Sequence, residues 1–181
     1  MSLNAMSTTY IHPPRDPEVA AIVEQLSERL ASLPDELEWL QSLAASGRTL
    51  AEVRGISPDE LDALYGVGYD LCNEGSFHHA LPIALQLVLH APREPRYSFM
   101  AASCLQRQNQ PEQAMLLFAQ TLLLQPEDAA AAYRLSECLI VLDRQDEAHD
   151  LLLETVELCR GNERYRSIYE LATERLATLK R

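Results

Sequence analysis

Glycine and phenylalanine are scarce in this sequence, with 6 and 3 among 181 residues. No phosphate loop, dinucleotide-type glycine pattern or nucleophile elbow is present, which removes the commonest nucleotide-dependent and hydrolytic chemistries. Only 4 cysteines occur, Cys72, Cys104, Cys138 and Cys159. They form no C-x-x-C pair and none sits near a histidine at ligand spacing, so neither a zinc module nor a disulfide framework is expected. All four are predicted to be small buried hydrophobes in a reducing compartment. The 5 histidines, His12, His78, His79, His90 and His149, make no metal pattern and are predicted to be ordinary surface residues. Basic side chains are short, 15 against 27 acidic, for a net charge of −12. That sign disfavours a nucleic-acid partner, whose affinity comes from Lys and Arg displacing counterions. No run of about 18 apolar residues and no basic segment leading into an apolar stretch occurs, so a cytoplasmic protein without direct membrane insertion is expected. Neither a catalytic residue nor a cofactor or metal is expected, and the protein is read as not an enzyme.

Leucine, alanine and glutamate are plentiful instead, and these residues lose little on entering a helix. They recur with a period of 34 residues. Ala80, Ala114 and Ala148 keep that step, as do Leu71, Leu105 and Leu139, the aromatics Tyr65, Phe99 and Tyr133, and Pro92 with Pro126. Set against the tetratricopeptide template, the units start at Leu61, Pro95 and Ala129. Each unit is two antiparallel helices that bury their apolar faces only against each other and the next unit, so small residues belong where helices cross. Gly68, Ala102 and Ser136 from the first helices and Ala80, Ala114 and Ala148 from the second fill those crossings.

The fold class expected is therefore all-α, a tetratricopeptide-repeat solenoid of three repeats with an N-terminal helical extension and a C-terminal capping helix. Helices are predicted at about residues 58–74, 77–90, 94–108, 111–124, 128–142 and 145–159, with a bend near Pro82. Residues 1–15 are set aside as disordered or cloning-derived, 16–57 as an N-terminal helical region and linker, 58–160 as the repeats and 161–181 as the cap. In the cap, Tyr165, Ile168, Tyr169, Leu171, Ala172, Leu176 and Leu179 make an apolar stripe. Near the N-terminus, Asp16 and Pro17 open a helix carrying Val19, Ile22, Val23, Leu26, Leu30 and Leu33 at three- and four-residue steps. This stripe suits either a cap on the first repeat or a homodimer surface, and spacing alone leaves both open.

The first helix of each repeat lines the inner side of such a stack. The lining positions are Asp62, Tyr65, Tyr69 and Cys72, then Arg96, Phe99, Ser103 and Gln106, then Ala130, Tyr133, Glu137 and Ile140. The recurring aromatics form a stripe able to take apolar side chains from a peptide, although the same residues also suit packing between helices. Clamps for acidic peptide termini need several converging basic groups. Arg96 is the one basic residue among the twelve, so an extended segment with spaced apolar anchors is the expected ligand.

The segment ASGRTLAEVRGISPDELDALYGVGYDLCNEGSFHHAL, with Thr49, Leu50, Gly55, Ile56 and Ser57 in its T-L-x-x-x-x-G-I-S linker, resembles the class II type III secretion chaperones, the low-calcium-response H (LcrH/SycD-like) family. The stretch SECLIVLDRQDEA, holding Glu137 and Cys138, looks like that family's third-repeat A-E-C-L motif. The resemblance implies a cytoplasmic chaperone that holds an N-terminal extended segment of membrane-inserting translocator proteins in its groove. It also implies a homodimer formed through the N-terminal helices and, in some members, a transcription regulator as a further partner. Tyr65 and Tyr69 fall on the family's groove aromatics, while Pro82, the serines Ser98 and Ser103 at bulky groove positions and a longer N-terminus depart from it. The alternative reading from the repeats alone is a general tetratricopeptide scaffold for a stable protein assembly.

Overall fold

The structure, a computed structural model, describes residues 45–179. The chain divides into two units, Met1–Arg48 and Thr49–Arg181. The expected N-terminal stripe of Val19, Ile22, Val23, Leu26, Leu30 and Leu33 lies outside the described residues.

The second unit opens with two linked capping boxes. Helix α1 spans Leu50–Arg54, and the Thr49 hydroxyl accepts from the Glu52 amide while Glu52 accepts from the Thr49 amide. Gly55 ends this helix in the left-handed region at φ 69°. Ser57 and Glu60 then repeat the same exchange at the start of α2, Pro58–Asn73. The T-L-x-x-x-x-G-I-S linker is thus helix punctuation: each hydroxyl and carboxylate satisfies amides that the first turn leaves unpaired, and glycine makes the reversal between them.

Three helix pairs follow. Repeat one is α2 with α3, Phe77–His90; repeat two is α4, Pro95–Arg107, with α5, Pro111–Leu124; repeat three is α6, Ala129–Val141, with α7, Gln145–Cys159. A 3₁₀ turn at Glu163–Tyr165 leads into α8, Arg166–Thr178. The boundaries match the sequence expectation to within a residue. Gly75, Asn109 and Asp143 sit at one repeat position, in the turn inside each pair, and all three have positive φ, at 77°, 59° and 59°. Glycine takes that conformation freely, and Asn and Asp are the side chains that tolerate it best.

Ala80, Ala114, Ala148, Ala102 and Ser136 are fully buried where helices cross. Gly68 is closer still: a Cβ there would stand 2.9 Å from Met100 Cε. Phe118, Leu87 and Leu152 are the largest wholly enclosed apolar side chains, each stabilising the stack by about 1.5–3 kcal/mol through burial. Pro82 does not interrupt α3, which runs unbroken through it. Pro82 and His78 are both exposed, so the carbonyl deprived of its donor is on the wet side, where water can replace the missing amide.

Successive first helices touch, α2 to α4, α4 to α6 and α6 to α8, whereas successive second helices scarcely meet. A stack pinched on one side curves toward that side, so the first helices form its inner face. In the cap helix α8, Ala172 is buried with Ile168, Leu176 and Leu179 beside it. Tyr169 and Leu171, expected in the same stripe, are exposed instead.

Candidate peptide-binding groove

The inner face at repeats one and two is built on aromatic rings and one arginine. Tyr65 of α2 stands 6.2 Å from Tyr69, one turn along, and 5.7 Å from Tyr97 of α4, centroid to centroid. The Arg96 guanidinium covers both Tyr65, at 5.2 Å, and Tyr97, at 5.7 Å. It donates to Asp62 at 3.0 Å and to Glu94 at 2.9 and 3.2 Å. Hydrogen bonding to Arg96 holds the Glu94 carboxyl below its ordinary range, and the Glu94 bond in turn raises Arg96. Burial pushes the Tyr65 hydroxyl up, against the opposing pull of Arg96. Arg96 is thus committed to carboxylates of its own chain and stacked on rings, rather than held ready for a ligand's charge.

Tyr65, Arg96, Phe99 and Ala130, four of the twelve lining positions, meet in one cavity of about 270 Å³. Arg164 and Tyr165 of the 3₁₀ turn complete it, with Gln125 and Asp128 from the loop before α6. Phe99 is partly buried, edge-on to Phe118 at 5.6 Å and 70°. Tyr69, at 52% exposure, is the most open aromatic of the face.

A second cavity of about 320 Å³ collects Gln106, Glu137 and Ile140 farther along. Glu137 accepts from Arg134 at 2.9 Å, and from Arg175 of α8 and Gln106 at 3.5 Å. Arg134, Arg164 and Arg175 correct the expectation that Arg96 supplies the face's basic character by itself: Arg96, Arg134 and Arg175 are each set against a carboxylate, and Arg164 lies over the Tyr165 ring at 5.9 Å. Arg134 lies just off the counted register, and Arg175 comes from a helix outside the repeats, so a reading of repeat positions misses both.

Other expected positions are placed differently. Tyr133 is only 6% exposed, because α8 packs over α6 and encloses it with Leu152 and Ala172. Ser98 is not a groove residue: it is 1% exposed, and its hydroxyl lies 3.0 Å from that of Thr121 on α5. Ser103 is half-buried on α4. Cys72 is half-buried rather than buried, and its sulfur lies 3.5 Å from that of Cys104. His90, expected at the surface, is buried at the end of α3, with Nδ1 2.8 Å from the Gln86 carbonyl and Nε2 3.1 Å from Arg54 Nη1. Nδ1–H donates to the carbonyl and Nε2 accepts from the guanidinium, which ties α1 to the first repeat.

Among the described residues no helix is long and apolar enough to cross a membrane, and no cluster of three or more candidate metal ligands occurs.

The family model described as "Anaphase-promoting complex, cyclosome, subunit 3" matches residues 73–155. The chaperone protein SicA of Salmonella typhimurium (strain LT2) is 25% identical over 111 residues, 61% of this chain and 67% of SicA. Among solved structures, the Yersinia enterocolitica type III secretion chaperone SycD with a peptide of the translocator YopD superposes with a TM-score of 0.66 at 18% identity, covering 68% of this chain and 95% of SycD. PcrH, a Pseudomonas aeruginosa protein, in complex with the chaperone binding region of PopD gives 0.67 at 22% identity, covering 69% of this chain and 94% of PcrH. The chain is an all-α, tetratricopeptide-like solenoid with the fold of the type III secretion translocator chaperones.

Proposed function

We propose that this protein is a type III secretion chaperone that holds an extended segment of a hydrophobic translocator against the inner face of its repeats before export. The observation that carries this reading is the open aromatic face of repeats one and two, Tyr65 and Tyr69 beside the Phe99 cavity, on a fold whose solved examples include chaperones bound to translocator segments. An extended peptide lacks partners for its apolar side chains in water, and rings spaced along the stack supply them. With Arg96, Arg134 and Arg175 each set against carboxylates and Arg164 lying over the Tyr165 ring, the face favours apolar anchors over an acidic terminus. Cargo with membrane-inserting segments would aggregate or insert wrongly if left bare, so such a chaperone acts in the cytoplasm. The homodimer expected through Ile22 and Leu26 belongs to the same proposal.

Titration of a fluorescent N-terminal peptide of a type III secretion translocator tests the reading. Tyr69→Ala combined with Tyr65→Ala should weaken binding at least tenfold, since a buried aromatic anchor is worth about 2 kcal/mol or more. The exposed outer change Gln113→Ala should leave it unchanged. Affinity retained by the double variant, with helicity intact by circular dichroism, would place the cargo elsewhere.

A further inference from the structure

Cys72 and Cys104 belong to different repeats and differ in their repeat position, so no periodicity pairs them. The fold does: their sulfurs are 3.5 Å apart across the contact between α2 and α4. Cys104 is wholly buried beside Met100 and Ala101, whereas Cys72 is half-buried on the inner face. A disulfide needs its sulfurs at about 2.0 Å, so the pair stands about 1.5 Å short of bonding distance.

We propose that Cys72 and Cys104 form a thiol modification site, at which a low-molecular-weight disulfide such as oxidised glutathione converts the pair into an intramolecular disulfide stapling repeat one to repeat two. Cys72 attacks, because solvent reaches it. Its thiol gives up a proton to water, and its thiolate sulfur bonds to one glutathione sulfur, expelling the other glutathione as a thiolate. The Cys104 sulfur, once its own proton has left, attacks Cys72 Sγ and expels the second glutathione. Two protein thiols are oxidised and one small disulfide is reduced to two thiols, so the exchange balances without a further oxidant. Burial pushes the Cys104 thiol up and persists after Cys72 is capped, so the second step speeds as pH rises.

Cys72 is also an expected groove position, so bound cargo would cover it. That consequence rests on the proposed function, whereas the disulfide does not.

The test uses the reduced full-length protein incubated with oxidised glutathione at mildly alkaline pH, then acid-quenched, alkylated under denaturing conditions and mapped by peptide mass spectrometry. The expected product joins the Cys72 and Cys104 peptides within one chain, leaves Cys138 and Cys159 alkylated, and reverts with dithiothreitol. Cys104→Ser should trap one glutathione on Cys72. Cys72→Ala, a benign change at a half-buried site, should leave Cys104 with neither adduct nor link, and it decides the matter if Cys104→Ser fails to fold. Links to Cys138 or Cys159, links between chains, or a wild type that stops at the Cys72 adduct would overturn the proposal. Saturating N-terminal translocator peptide should slow the link at least tenfold. An unchanged rate with peptide bound counts against the groove reading and leaves the disulfide standing.

Discussion

Asp62 and Arg96 hold the same place in successive repeats, 34 residues apart, and the Arg96 guanidinium donates to the Asp62 carboxylate over 3.0 Å. One repeat position is thus filled with opposite charges that meet across the α2–α4 contact. Glu94, the N-cap of α4, grips the same guanidinium from the other side and accepts from the Arg96 amide. The pair positions Arg96 over the two tyrosines more than it stabilises the stack: its members are 48% and 56% exposed, and ion pairs in that setting are worth about 0–1 kcal/mol.

Glu94 gives that cluster a pH dependence of definite sign. Its carboxyl is held below the ordinary value by Arg96, so its contribution is whole above the unfolded carboxylate pKa near 4 and fades as pH falls through the lower folded value. Glu94→Gln should therefore lower stability by about 0–1 kcal/mol at neutral pH. It should also flatten the loss of stability on acidification. Urea denaturation at neutral pH and at several pH values below 4.5 checks both, and parallel curves for the two proteins would remove Glu94 from the acid limb.

What the sequence made legible follows from which constraints repeat. Ala80, Ala114 and Ala148, and the turn residues Gly75, Asn109 and Asp143, are each forced by the same local geometry in every unit, so a period exposes them. The same logic groups Tyr65, Phe99 and Arg96, which line one cavity. Tyr133 departs from the pattern because its repeat has a different neighbour: where Tyr65 and Phe99 face another repeat, Tyr133 faces α8, which covers it. Ser98 departs from what the resemblance implies because its hydroxyl faces Thr121 on α5 rather than the groove. Cys72 and Cys104 hold different register positions and Arg54 lies outside the repeats, so no pattern along the chain announces the Cys72–Cys104 and Arg54–His90 contacts.

Ser98 and Thr121 share two hydroxyl protons among three contacts: with each other at 3.0 Å, with the Pro95 carbonyl at 3.1 Å and with the Leu117 carbonyl at 2.9 Å. Only two of the three can be donated at once. Removing one hydroxyl leaves the other a backbone acceptor, so Ser98→Ala and Thr121→Val should each cost about 1 kcal/mol. The double variant should cost less than their sum by about 0.5 kcal/mol or more. A double-mutant cycle in urea measures this, and strict additivity would mean that the hydroxyls do not bond to each other.

The N-terminal stripe makes a prediction on the oligomer. If Ile22 and Leu26 bury against a second copy, Ile22→Glu with Leu26→Glu should give a folded monomer, because two charges cannot be taken into an apolar interface without partners. Light scattering decides it. An unchanged mass, or a wild type already monomeric, removes the dimer.

Gly66 and Gly68 lie two residues apart on α2, and the fold asks opposite things of them. A Cβ at Gly66 would meet nothing within 4 Å, so Gly66→Ala should stabilise by up to about 1 kcal/mol, the ordinary helix preference of alanine over glycine. At Gly68 the same Cβ would stand 2.9 Å from Met100 Cε, 3.1 Å from its sulfur and 3.3 Å from Ile83 Cγ2. The end of a methionine side chain swings aside cheaply in open space, but Met100 is only 5% exposed. Gly68→Ala should therefore forfeit the helix gain and fall within about 1 kcal/mol of wild type. Gly68→Leu has no such escape: it must push α2 off α4, at a cost of about 1–3 kcal/mol or more. Because that contact sets the distance between Tyr65 and Tyr97, the leucine variant should also lose peptide affinity at a temperature where it remains folded. Thermal denaturation of the three variants, with peptide titration of those that fold, gives the ordering Gly66→Ala above wild type, Gly68→Ala near it and Gly68→Leu below it. A Gly68→Leu protein as stable and as tight-binding as wild type would show that the first helices do not touch as closely as described.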